Sequence, residues 1–150
     1  MSDKESVMQT LEDYATAYCS KDIDALMRVF DDSDDITLIG TGSSENLRVG
    51  QEEVKDVFVR NFRDATAKEF IYGQRHIFIN GNVAIVSIVL TLNIEIDGNA
   101  VLVPLRWTVS LIKRNTDKSN GRWVWVHRHA STPAAGQDNN SAYPTDPKTP

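Results

Sequence analysis

At 150 residues, 41% hydrophobic and 25% charged, the chain has the make-up of one globular domain, long enough to bury roughly two thirds of its unfolded surface. No apolar run approaches the ~18 residues of a membrane span, and the opening MSDKESVMQT lacks the apolar core of a signal peptide, so no membrane is expected as a partner. A net charge of −5 with dispersed basic residues repels phosphate backbones and argues against nucleic acid.

The single cysteine, Cys19, has no internal disulfide partner. It reads as a small helix residue in a reducing, cytoplasmic setting.

A first helix is predicted from about Lys4 to Cys19, because Val7, Leu11, Tyr14, Ala15 and Tyr18 recur at helical spacing. Asp22 is placed to cap a second helix, Ile23 to Phe30, with Ile23, Leu26, Met27 and Phe30 as its apolar stripe. The acidic run Asp31 to Asp35 turns into a short strand, Ile36 to Gly40, and Thr41 to Asn46 reads as a loop. Gly50 followed by Gln51, Glu52 and Glu53 marks a third helix to about Asp64, since carboxylates in a first turn complement the helix dipole.

From Glu69 the period changes to that of strands. Phe70 to Ile79 leads through Asn80-Gly81 into Val83 to Ile96, and Asp97-Gly98 leads into Ala100 to Lys113. A polar hairpin, Asn115 to Gly121, precedes the last strand. Strands of about 14 residues cannot stay flat. The expected fold is therefore α+β: a strongly curved antiparallel sheet wrapped around three N-terminal helices, leaving a cone-like cavity. The domain is expected over residues 1–132. Residues 133–150, rich in Pro, Gly, Asn and Asp, read as a disordered tail.

The last strand, GRWVWVHRHAS from Gly121 to Ser131, carries the chemistry. Strict alternation puts Trp123, Trp125, His127, His129 and Ser131 on one face and Val124, Val126, Arg128 and Ala130 on the other. An arginine is costly to bury unless paired. The alternation therefore turns Arg128 outward and the two histidines into the cone, the tryptophans under the helices and Ser131 near the mouth. There His127 and His129, kept mainly neutral by burial and a nearby arginine, are the candidate general acid and base. A zinc site needs a third ligand, and no Asp, Glu or Cys stands obviously beside the pair. No motif calls for a cofactor. His76, among Arg75, Ile77 and Phe78, reads as a surface residue of its strand.

Three stretches carry a resemblance: the first helix into Asp22-Ile23-Asp24-Ala25-Leu26 and Phe30; Gly50-Gln51-Glu52-Glu53-Val54; and Arg106-Trp107-Thr108 followed by Trp123, Val126, His127, His129 and Ser131. Over roughly residues 5 to 132 the chain resembles the SnoaL-like group of the nuclear transport factor 2-like superfamily, which includes ketosteroid isomerase and the association domain of calmodulin-dependent protein kinase. The resemblance implies a cone fold, a homodimer or higher assembly through the sheet, and a pocket. It implies no single reaction.

By that resemblance Tyr14 stands where ketosteroid isomerase has its oxyanion-donating tyrosine. The carboxylate base of that enzyme has no counterpart in Gly40-Thr41-Gly42-Ser43, and its protonated aspartate falls near Ser110. Steroid isomerisation by that route is rejected, because it needs both carboxyl groups. Gly42-Ser43-Ser44 also lacks the flanking pattern of a nucleophile elbow.

Tyr14, Tyr18, Arg106, Thr108, Trp125 and Ser131 are the candidate ligand-binding residues. Arg106 shares its side with Pro104, Thr108 and Ser110, and is read either as a clamp on a ligand oxygen or as an ion-pair partner of Glu95 or Asp97. Apolar residues exceed what one covered face needs, which predicts a homodimer through the convex side. The functional reading is a small-molecule-binding domain with a polar-aromatic cavity. The alternatives are a lyase, isomerase or hydrolase using a cavity histidine as base, and a non-catalytic oligomerisation or association module.

Overall fold

A computed structural model describes residues 1–42, 46–116, 119–135, 137, 142 and 143. Ser43 and Ser44, weighed above as a nucleophile elbow, lie outside the described residues, as does most of the tail beyond 133. Helix α1 (Asp3–Cys19) begins at Ser2, whose hydroxyl accepts from the Glu5 amide while the Glu5 carboxylate accepts from the Ser2 amide. This reciprocal cap satisfies two otherwise orphaned donors. Val7, Leu11 and Tyr14 form its fully buried side. Asp22 caps α2 (Ile23–Val29) by accepting from the Ala25 amide at 3.0 Å. The helix stops one residue short of the expected end because Phe30 turns extended and bridges to Trp125.

Strand β1 (Thr37–Ile39) is followed by a two-residue strand, β2 (Arg48–Val49), that the hydrophobic pattern is too short to reveal. Helix α3 (Gln51–Asp64) precedes the meander β3 (Thr66–Asn80), β4 (Val83–Ile96), β5 (Asn99–Thr116) and β6 (Ser119–Ser131). All six strands form one sheet in the order β2-β1-β6-β5-β4-β3, with β1 parallel to β6 and the other pairs antiparallel. The β3–β4 turn falls on Gly81-Asn82, one residue later than expected, since Asn80 pairs with Val83. The β4–β5 turn falls on Asp97-Gly98 as predicted. Both residues have positive φ, 50° and 80°, as a two-residue turn matched to strand twist requires.

Alternation along β4 and β5 separates the two faces of the sheet. Ala84, Val86, Ile88 and Leu90 are buried, as are Leu105, Trp107, Val109 and Leu111. They pack with Val7, Leu11 and Tyr14 of α1 and Val54, Val57 and Phe58 of α3 in one core. The architecture is the expected α+β cone: three helices against the concave face of a curled, unclosed sheet. Among the described residues no helix is long and apolar enough to cross a membrane.

One irregularity sets which side chains of β6 face the core. Ser110 pairs with His127, but the next residue, Leu111, pairs with Trp125, so Val126 is an extra residue in β6. A bulge of this kind lets two residues oppose one and inverts the alternation beyond it.

Candidate functional site

Before the bulge, Trp123 and Trp125 point into the core, as expected. After it the odd and even positions exchange faces. Arg128 and Ala130 are buried, while His129 is exposed and His127 and Ser131 are half-buried. The strand register fixes the side: Val109 opposes Arg128 and Trp107 opposes Ala130 on the core face, whereas Thr108 opposes His129 and Ser110 opposes His127 on the other.

The expected histidine site is thereby corrected. His127 and His129 lie on the convex face, together with Arg106, Thr108 and Ser131. Arg106 donates through Nε to the Ser131 hydroxyl at 3.2 Å and through Nη2 to the Thr132 carbonyl at 3.3 Å. It does not line the cone cavity, and it makes no ion pair with Glu95 or Asp97; Glu95 instead pairs with Lys68 at 3.4 Å. The His127 Nδ1 lies 2.7 Å from the Thr37 hydroxyl. Burial, then His129 and Arg128, lowers the His127 pKa, as expected of it, but on the opposite side of the sheet from the cone.

The concave face holds a cavity of about 330 Å³ between the helices and the sheet. Its lining is largely aromatic and aliphatic, with Tyr14 and Tyr18 from α1, Val57 from α3, and Phe70, Leu105 and Trp107 from the sheet, joined by Gly40, Thr41 and Gly42 and by the polar Arg60, Asn61 and Asp64 of α3. Two larger grooves, about 630 and 680 Å³, run over α1 and α2 and between α2 and α3. Charged side chains such as Asp13, Asp22 and Arg122 in one, and Asp24, Glu52 and Lys55 in the other, face into them. The cone cavity combines largely apolar walls with a few convergent polar groups, a pattern common to small-molecule sites.

Those polar groups centre on Arg128 and Tyr14. The Arg128 Nη1 donates to the Tyr14 hydroxyl at 2.7 Å. Its guanidinium carbon lies 5.4 Å from the Trp107 ring centroid and 5.8 Å from that of Phe58. The tyrosine oxygen and the two ring faces offset the cost of burying a cation. Tyr14 is held in turn by Trp125, stacked against it, and by Trp107, edge-on at 5.2 Å. Burial raises the Tyr14 pKa, Arg128 opposing it, and burial likewise raises that of Tyr18. Both stay phenols at neutral pH and keep a proton to donate.

Of the candidate ligand-binding residues, Tyr14 and Tyr18 line the cavity. Trp125 does not: it is fully buried beneath Tyr14, with its indole N–H donating to the Thr10 hydroxyl at 2.8 Å. Sequence reasoning missed Arg128, because it weighed the cost of burial without the tyrosine and the rings that other elements supply. Nothing in the residues around Val126 marks the bulge.

A family model for the SnoaL-like domain matches residues 7–135, from within α1 to beyond β6. The chain belongs to the SnoaL-like family. Solved structures similar to this SnoaL-like chain include an NTF2-like protein from Cytophaga hutchinsonii, 15% identical, covering 89% of this chain and 100% of the other at a TM-score of 0.69. Another is a ketosteroid isomerase-like protein from Erwinia carotovora atroseptica, 18% identical, with 87% and 95% covered and a TM-score of 0.65. A third, from Streptomyces avermitilis, is an NTF2-like family protein with a proposed dehydratase assignment, 18% identical, with 87% and 96% covered and a TM-score of 0.74. At such identities the likeness is one of fold. No curated protein matches the sequence.

Proposed function

We propose that this SnoaL-like domain binds a small organic molecule in the cone cavity. The observation that carries this reading is the 330 Å³ space with apolar and aromatic walls, meeting a buried arginine–tyrosine pair. The ketosteroid isomerase-like and dehydratase-assigned structures with the same fold are in keeping with a cavity that handles small molecules. A lyase, isomerase or hydrolase with a histidine base is not part of this reading, because His127 and His129 face away from the cavity. A panel of small aromatic and aliphatic compounds, screened by thermal shift, tests it. Hits are expected for the wild type and lost in Val103→Trp, which fills the half-buried side of the cavity; hits that persist in that variant place binding elsewhere.

We further propose a homodimer through the convex face. Ile71, Phe78, Ile85, Val89 and Leu102 leave 39–64% of their surface exposed there, an apolar area of the kind that a second copy covers. Light scattering showing a monomer at micromolar concentration overturns this. A cytoplasmic setting fits the one cysteine, Cys19, which is a free thiol.

A further inference from the structure

We propose that the ligand of the cone cavity carries a carboxylate, received by the Arg128 guanidinium and the Tyr14 hydroxyl. This rests on the small-molecule reading above and adds its chemical class. Arg128 retains only 6% of its surface exposure yet its guanidinium is a cation. Among the described residues its hydrogen-bond acceptor is Tyr14, a neutral phenol, and its Nε has none. The ion pairs of the described residues join Arg63 to Asp64, Lys68 to Glu95, Lys113 to Asp3 and Arg114 to Asp31; none involves Arg128. Ring faces and one phenol oxygen soften the burial of a cation, but they do not neutralise it.

Around this charge the cavity is lined by buried Val57, Leu92, Leu105 and Ala130, while half-buried Arg60 and Asn61 and exposed Asp64, which pairs with Arg63, supply its remaining charged and amide groups. A monoanion on a flat apolar body meets both requirements: its carboxylate takes the planar donors of the guanidinium, and its body takes the aliphatic and aromatic walls. A dianionic phosphate would leave surplus negative charge in the same enclosure. Tyr14 adds specificity, because its oxygen accepts from Arg128 and its own proton is left to donate to the second carboxylate oxygen.

Calorimetric titration of the full chain at neutral pH with benzoate and trans-cinnamate, each against its amide, tests the proposal. The acids are expected to bind at least tenfold more tightly than the amides. In Arg128→Met the preference is expected to vanish while amide binding remains, and Arg128→Lys, which keeps the charge without the fork, is expected to retain only part of it. Circular dichroism and thermal unfolding establish that each variant is folded. If neither folds, the acid-to-amide ratio of the wild type still decides. Equal affinities, or a preference that survives in Arg128→Met, overturn the carboxylate assignment. Binding of the amides alone overturns it while leaving the small-molecule reading in place; binding of no probe overturns both.

Discussion

Tyr14 and Trp125 lie face to face, their ring centroids 4.7 Å apart and their planes 16° from parallel. The stack supports the floor of the cavity from below, and it is anchored through Thr10. The Thr10 hydroxyl accepts from the Trp125 indole at 2.8 Å and donates to the Val7 carbonyl at 2.6 Å. Thr10→Val keeps the shape and strands a buried N–H, which costs about 1–3 kcal/mol. Urea denaturation should show that loss; a change below about 0.5 kcal/mol, the range of ordinary surface substitutions, means the anchor is dispensable.

Two changes at Val126 test the register of β6, and both should leave a folded chain. Val126→Ala keeps the bulge and trims a half-buried side chain, so cooperative unfolding should persist at a cost of about 1 kcal/mol. Deleting Val126 makes the pairing continuous, with Trp125 still opposite Leu111 and His127 still opposite Ser110, so the two histidines stay on the convex face and Arg128 stays in the core. That chain should still unfold cooperatively, because only the local twist of the bulge is lost. A deletion variant with no cooperative transition refutes this register.

The pH dependence of stability has a defined sign. Burial, with His129 and Arg128 adding to it, lowers the His127 pKa below its ordinary 6.5, against the bond to Thr37. As pH falls, the unfolded chain takes up this proton before the folded one does. The contribution is complete above about 6.5 and is lost as pH drops from there through the folded-state value. Denaturation midpoints should fall over that window for the wild type and fall less for His127→Gln, which does not titrate. An undiminished decline in the variant assigns the effect to another group.

Assembly through the convex face is tested by charge. Ile85 and Val89 sit two strand steps apart on that face, 39% and 50% exposed. Ile85→Glu combined with Val89→Glu should leave stability within roughly 0.5 kcal/mol per site and shift sedimentation from dimer to monomer. A wild-type sedimentation profile for the double variant rules this surface out as the interface.

The fold was legible because its signals are local and repeated. Apolar stripes mark α1 and α3, alternation marks β4 and β5, and Asp97-Gly98 marks its turn by chemistry that few other dipeptides share. The site was half legible. Tyr14 and Tyr18 followed from the stripe of one helix, but the far end of β6 depends on a single unpaired residue that no composition signal announces. Arg128 was misplaced for a related reason. What makes its burial tolerable comes from Tyr14, Phe58 and Trp107, on three other elements, and a rule applied to one strand at a time does not see them.

The same kind of irregularity recurs at the rim of the sheet. Strand β3 ends the sheet with 15 residues, a length of unpaired backbone that would ordinarily invite strand addition and fibril growth. Its register breaks between Ala67 and Glu69 and again between Tyr72 and Arg75. Gly73 lies in the second break, where a Cβ would come within 3.0 Å of the Val89 carbonyl. An incoming strand therefore meets a regular ladder for only a few residues before its own register fails. Lys68 and Arg75 add charge at the same rim. The outermost strand thus guards the chain against polymerising edge to edge, leaving its broad faces as the surfaces through which copies can meet.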